Sequence, residues 1–199
     1  MNILSKKEKA LARQIIDAGY QNAAKSFSLV TRQNIQIEIA EIEVTQSEPN
    51  YQSLLKSGEE ITMLTTQIIG EVSGKSFLLL NEEERQAIYR ACLGPQKDEA
   101  QRKVMEEAIL KEIDNIISAT VITQFSNALG FSIYGGVPEL IHLKAEQIDT
   151  LIAQELGQAS DCLFTINTRF RFENNTALQP HFFWILSSQF LERIKQHIA

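Results

Sequence analysis

The chain has 199 residues, of which 44% are hydrophobic, and a formal net charge of −6. This length and composition can supply a core without a disulfide or metal, so we expect a single domain spanning 1–199. Its Lys and Arg are scattered and form no basic field for phosphates, which disfavours a nucleic-acid partner. No stretch approaches the ~20 apolar residues of a membrane span, and the N-terminus lacks the apolar segment of a signal peptide, so we expect no membrane association and a cytoplasmic location.

The first half of the chain predicts a long helix followed by strands and a short helix. Apolar residues recur at helical spacing from Ser5 to about Thr31, and then alternate with polar ones from Ile35 to Val44, with a slip in phase near Ala40. Two strand-like runs follow at Ile61–Val72 and Ser76–Leu80. Gly74 lies in the gap between them and suits the positive φ of a tight turn.

The rest of the first half predicts one loop and one short helix, and the second half repeats the order of the first. Ser47–Gly58 predicts a loop or short helix, and Asn81 predicts the N-cap of a helix that ends near Gly94-Pro95. The second half predicts two helices first, Glu99–Leu129, which ends at Gly130, and Pro138–Leu156, which ends at Gly157. Two strands follow, Cys162–Phe172 and His181–Leu186, joined by the polar turn Glu173–Thr176. Ser187 and Ser188 can cap a last helix that runs through Ile198.

The same order of elements therefore occurs twice, which indicates an internal repeat of about 1–97 and 98–199. Gln14 and Asp17 lie 98 residues before Glu112 and Asn115. Each half alone would leave one face of its strands exposed. We therefore expect an α/β fold of the α+β type, in which two pseudo-symmetric halves share an antiparallel sheet and two long helices pack on it.

Two familiar kinds of site are disfavoured by the local patterns. The run Gly70–Ser76 resembles a P-loop, but it lacks the first Gly of that motif and a strand-like segment follows it where a phosphate-binding loop needs a helix. The three His residues are isolated from one another and from acidic clusters, and no Ser or Cys lies in a nucleophile-elbow pattern. Neither a nucleotide site nor a hydrolase triad is expected.

The segment Ala108–Gly130 is the more informative one. Its apolar residues cover one face of a helical wheel, which leaves Glu112 and Asn115 on the other face. Because they are three residues apart, their side chains project together from a rigid element. A polar pair on a helix is by itself usually solvated surface.

The sequence resembles the CheC, CheX and FliY group of response-regulator phosphatases. Their motif is Asp or Ser, three residues, Glu, two residues, Asn, twenty-two residues and Pro, and Glu112, Asn115 and Pro138 match its last three positions with that spacing. The resemblance extends through Asp17–Ala24, Gly70–Leu80 and Thr168–Phe172. It implies hydrolysis of phospho-aspartate in a CheY-like receiver domain, with Asn115 positioning the attacking water and Glu112 docking to the receiver's lysine. It also implies that Mg²⁺ belongs to the receiver, so that this chain binds no cofactor or metal of its own.

The sequence departs from the motif at two places. Ala108 stands at the opening Asp or Ser position, and the first repeat has Ala10, Gln14, Asp17 and Ala40 at the four corresponding positions. The second site is therefore expected to be degenerate. These departures leave open an alternative, a weak or inactive adaptor of a chemotaxis or flagellar-switch complex, and the resemblance also suggests a CheD-like deamidase as a partner.

Overall fold

A computed structural model describes residues 4–45, 55–93, 98–156, 162–172 and 177–198. In chain order the elements are α1 Lys6–Thr31, β1 Gln36–Thr45, β2 Glu60–Gly70, β3 Gly74–Asn81, α2 Glu82–Cys92, α3 Glu99–Leu129, β4 Ile133–Gly135, β5 Glu139–Lys144, α4 Ala145–Glu155, β6 Cys162–Arg171, β7 Ala177–Leu178, β8 His181–Leu186 and α5 Ser188–Ile198.

The strands form one sheet in the order β1-β6-β8-β3-β2, with β4 and β5 both pairing with the far edge of β2 and β7 pairing with β6. Every pairing is antiparallel. Strands β3 and β8 pair with each other at the centre of the sheet. On one side β3 pairs with β2 of its own half, and β2 pairs with β5 of the second half. On the other side β8 pairs with β6 of its own half, and β6 pairs with β1 of the first half. The expected antiparallel sheet shared by two pseudo-symmetric halves is confirmed. The repeat boundary near residues 97 and 98 and the single-domain assignment stay predictions.

The two long helices pack on one face of the sheet, as predicted. Helix α1 contacts β1, α3 contacts β2, and the two helices contact each other. They cross closely at Gly19, where an added Cβ would stand 2.7 Å from the Cα of Val121. The opposite face of the central strands packs against α4 through a smaller apolar cluster. The core between the sheet and the long helices therefore determines where α3 sits.

Capping residues explain most of the helix ends. Ser5 and Asn81 each accept a hydrogen bond from the third residue of the following helix and complete a capping box, and Gly130 ends α3 in the left-handed conformation (φ 70°). The predicted slip near Ala40 is a bulge between Ile39 and Glu41 in the β1–β6 pairing. The predicted helix starts at Ser5 and Asn81, the helix end at Gly130 and the irregularity near Ala40 are thus confirmed.

The helix predicted over Pro138–Leu156 is wrong in its first third. Residues Glu139–Lys144 form β5, and the helix begins only at Ala145. Strand β5 pairs with β2 from Glu60↔Lys144 to Thr65↔Glu139, and this long-range pairing satisfies backbone groups on one side of β2. Tertiary pairing overrides the helical spacing of Leu140 and Leu143.

The role expected for Gly74 is also wrong. The positive φ near this hairpin belongs to Gly70 (133°), at the end of β2. Gly74 lies within β3, where an added Cβ would stand 2.6 Å from the carbonyl oxygen of Ile185 in β8. Close approach of two strands therefore requires the glycine. The predictions for the Glu173–Thr176 turn, for Gly94-Pro95 and Gly157, and for 47–54 of the predicted loop lie outside the described residues.

Candidate functional site

Helix α3 has the two faces that its sequence predicts. Its inner face is buried against the sheet and α1, and includes Leu110, Ile113 and Ile117. Glu112 and Asn115 are both exposed on the outer side. A helix held along one face by its core contacts presents outward side chains from a fixed backbone.

Glu112 and Asn115 lie one turn apart on this surface. Residues at i and i+3 of an α-helix have Cβ atoms about 5–6 Å apart, so one partner group can contact both side chains. Within the described part of the chain, neither side chain makes a hydrogen bond or an ion pair. A carboxylate and an amide that are exposed and unengaged keep their hydrogen-bonding capacity for a docking partner.

Pro138, the remaining matched position of the motif, lies outside α3, in the segment between β4 and β5. It is buried and immediately precedes β5. Two residues earlier in the chain, the Gly136 N–H donates to the Gln67 carbonyl oxygen (2.8 Å). Pro138 precedes Glu139, which pairs with Thr65 of β2. The hydroxyl of the next residue of β2, Thr66, donates to a carboxylate oxygen of Asp114 (2.6 Å). The residue before Asn115 and the residue after Pro138 are therefore held by neighbouring residues of β2.

Asp114 is a residue that the sequence reading missed. Its side chain is fully buried on the inner face of α3, and burial raises its pKa to about 7, against the opposing effect of the Thr66 hydrogen bond. The Ser118 hydroxyl donates to the Asp114 carbonyl oxygen (2.7 Å) one turn later. The signal that could have found it is its place on the wheel, between Leu110 and Ile117 in an otherwise apolar stripe.

The corresponding residues of the first half lie on α1. Gln14 and Asp17 are exposed, as is Ala40 at the bulge in β1, whereas Pro138 is buried. No described contact joins Gln14 or Asp17 to Glu112 or Asn115. Ala108, at the opening motif position, is exposed one turn before Glu112. Ala108, Glu112 and Asn115 thus share the exposed side of α3, whereas Gln14 and Asp17 lie on a different helix.

The described residues contain no group of three or more His, Cys, Asp or Glu side chains arranged to hold a metal ion. None of the helices in the described ranges is long and apolar enough to cross a membrane.

No protein-family model matches the sequence. Solved structures with the same fold include FliY from Thermotoga maritima, with a TM-score of 0.77, 15% identity, and coverage of 98% of this chain and 96% of that one. A chemotaxis protein CheX from Desulfovibrio desulfuricans has a TM-score of 0.56, 15% identity, and coverage of 87% and 99%. A chain of the FliG–FliM complex from H. pylori has a TM-score of 0.60, 12% identity, and coverage of 97% and 100%.

These structures define the class of fold to which the chain belongs. The fold is shared by FliY, by a CheX and by a chain of a FliG–FliM complex, and the first of these covers nearly the whole of both chains. The fold expected from the resemblance is confirmed. Because the same fold serves different proteins, function has to be argued from the residues of the site.

Proposed function

We propose that this protein is a phosphatase that hydrolyses the phospho-aspartate of a CheY-like response regulator. The observation that carries the proposal is the pair Glu112 and Asn115, which are exposed on α3 and make no hydrogen bond or ion pair within the described residues. In the proposed complex, α3 lies across the mouth of the receiver's active site. The receiver is a signalling domain of the cytoplasm, so a cytoplasmic location stays a prediction.

Asn115 is proposed to position the attacking water. An acyl phosphate is a mixed anhydride and is therefore already activated, so its catalyst has mainly to place a water in line with the leaving carboxylate. An amide side chain offers an acceptor and two donors, and can hold one water in a single orientation. In hydrolysis the water oxygen forms the new bond to phosphorus, the P–O bond to the aspartate breaks, and the carboxylate leaves.

Glu112 is proposed to dock the helix on the receiver. Its carboxylate would pair with the lysine of the receiver's active site, and so set the depth and direction in which α3 approaches. The Mg²⁺ that balances the phosphoryl charge would be held by the receiver. In this scheme neither Glu112 nor Asn115 has to change protonation state.

A second candidate function, an adaptor in a chemotaxis or flagellar-switch complex, is favoured by two specific observations. Ala108 cannot form the hydrogen bond that Ser or Asp would make at the opening motif position, and the fold also occurs in a chain of the FliG–FliM complex. In this function α3 binds a partner without turnover. A CheD-like deamidase is a further proposed partner, whether the protein acts as a phosphatase or as an adaptor.

Phosphate release distinguishes the two functions. The full chain is incubated with a phosphorylated CheY-like receiver and Mg²⁺, and phosphate is followed against the receiver's own decay. The phosphatase function predicts release that rises in proportion to the concentration of this protein. Binding of the phosphorylated receiver with unchanged release would support the adaptor.

A further inference from the structure

The residue next to Asn115 connects the exposed site to the protein interior. Asp114 is 0% exposed, and its only described side-chain hydrogen bond is the one donated by Thr66 of β2. Its second carboxylate oxygen, Oδ1, is buried without a hydrogen-bond partner among the described residues. A buried carboxylate is costly, and a fold keeps such a group only where other contacts compensate for that cost.

Thr66 of β2 contacts this carboxylate directly, by donating to it. The Asp114 charge also acts on Tyr20 of α1, and Tyr20 neighbours Trp184 of β8. The Tyr20 hydroxyl and the Trp184 N–H are both buried and, within the described structure, have no hydrogen-bond partner of normal geometry. Burial raises the pKa of Tyr20, and the Asp114 charge raises it further, so Tyr20 remains a neutral donor.

Apolar residues occupy the positions that the repeat relates to Asp114 and Thr66. Ile16 stands 98 residues before Asp114, at the same offset that relates Gln14 and Asp17 to Glu112 and Asn115. Thr66 pairs with Ser76 of β3, and the offset of 106 residues between Asn81 and Ser187, at the ends of β3 and β8, relates Ser76 to Phe182, whose partner in β6 is Ile166. Ile16 and Ile166 are both fully buried. The fold can thus fill these positions with aliphatic side chains, and of the two long helices it is α3, which carries Glu112 and Asn115, that has the polar pair.

We propose that Asp114 is a positioning residue, whose hydrogen bond with Thr66 sets the rotation of α3 about its own axis and hence the direction in which Asn115 projects. This inference rests on the proposed function. Side-chain tips lie about 5–6 Å from a helix axis, so a rotation of about 15° moves a tip by more than 1 Å. A misplacement of that size is enough to reduce catalysis strongly. The core contacts fix where α3 lies, and the Asp114–Thr66 hydrogen bond, which depends on both distance and angle, adds a directional constraint on its rotation.

The test compares two buried threonines in the full chain. Thr66→Val removes the hydroxyl that bonds Asp114, and Thr66→Ser retains it. Thr168→Val is the matched control, because Thr168 is equally buried at 2% against 1% and its hydroxyl donates to the Pro180 carbonyl, away from α3. Two readouts are used: kcat and KM with a phosphorylated receiver, and residual dipolar couplings of the α3 amides, which report the orientation of the helix.

We expect Thr66→Val to lower kcat by about 10-fold with KM within 2-fold, and to change the α3 couplings, while Thr66→Ser and Thr168→Val stay at the parental values. Should Thr66→Val not fold, Asp114→Ala compared with Asp114→Asn answers the same question, since the Asn oxygen can still accept from Thr66. Parental kcat and unchanged couplings in Thr66→Val, or an equal loss in Thr168→Val, would overturn the positioning role. If the parental protein shows no turnover, the proposed function has failed, and the couplings alone decide whether Thr66 orients α3.

Discussion

Helices α1 and α3 hold related positions in the two halves of the fold, yet only one of them carries an exposed Glu and Asn one turn apart. On α1 the corresponding residues are Gln14 and Asp17, and the two buried positions between them are Ile15 and Ile16. On α3 they are Glu112 and Asn115, with the buried Ile113 and Asp114 between them. The inner faces of both helices retain their apolar packing. Packing and site chemistry therefore change independently in this molecule, and paired substitutions in the two helices can separate them.

A large difference is expected between Glu112 and its counterpart Gln14. Glu112→Ala should lower kcat/KM for the phosphorylated receiver by about 10²-fold, because the lysine it is proposed to meet loses its partner at the interface. Gln14→Ala should leave kcat/KM unchanged. Association measured at rising ionic strength should weaken in the parental protein and change less in Glu112→Ala. Equal losses in both variants would mean that α1 contributes to the site.

The buried positions Asp114 and Ile16 should differ in their effect on stability against pH. The folded pKa of Asp114, about 7, lies above the ordinary value of about 3.9, so the folded state binds more protons between these values and stability falls as pH rises through them. Between pH 5 and pH 8 the contribution is about 2–3 kcal/mol. Asp114→Asn should remove this slope in denaturant unfolding, whereas Ile16→Val should only lower the curve. The account of Asp114 fails if the Asn variant keeps the parental pH dependence.

The crossing of α1 and α3 gives the next largest effect. Helix propensity alone predicts that Gly19→Ala stabilises α1 by about 1 kcal/mol. The structure predicts the opposite sign, a loss of about 1–2 kcal/mol, because the new Cβ would stand 2.7 Å from both Cα and Cγ2 of Val121. Thermal unfolding measures the change, and adding Val121→Ala should recover part of it. A Gly19→Ala protein more stable than the parent would show that the helices are not packed this closely.

The smallest effect is expected at the opening motif position. Ala108 is exposed on α3, so a Ser side chain fits there without disturbing the core. The rate of phosphate release by Ala108→Ser should lie between the parental rate and a few-fold above it, since the substitution restores a hydroxyl that can hydrogen-bond the partner. Ala10→Ser, its counterpart on α1, should have no effect on release. A clear loss of activity in a folded Ala108→Ser protein would identify Ala108 as an adapted feature.

Much of the fold could be predicted because its signals are local. Ser5, Asn81 and Gly130 fix helix ends through their own hydrogen bonds or backbone conformation, and alternation reveals β1 with its bulge. The prediction was wrong for Glu139–Lys144, because its apolar residues fit the spacing of a helix as well as that of a strand, and only its pairing with β2 makes it a strand. The prediction for Gly74 was wrong for the same reason, since a carbonyl of β8 requires the glycine there.

The site shows the same division between local and long-range information. Exposure of Glu112 and Asn115 follows from the apolar stripe on the other side of α3, and could be predicted. The Asp114–Thr66 hydrogen bond joins residues 48 positions apart, so no local pattern specifies it. An acidic residue inside an apolar stripe indicates only that some buried partner exists.

The central claim is that Asn115 on α3, and not Asp17 on α1, acts on the phosphoryl group. The most direct measurement is the rate of phosphate release from a saturating phosphorylated receiver by Asn115→Ala and Asp17→Ala proteins, each shown to be folded and to bind the receiver. We predict a loss of about 10²-fold or more in turnover for Asn115→Ala, with receiver binding retained, and the parental rate for Asp17→Ala. A folded Asn115→Ala protein that releases phosphate at the parental rate would contradict the account.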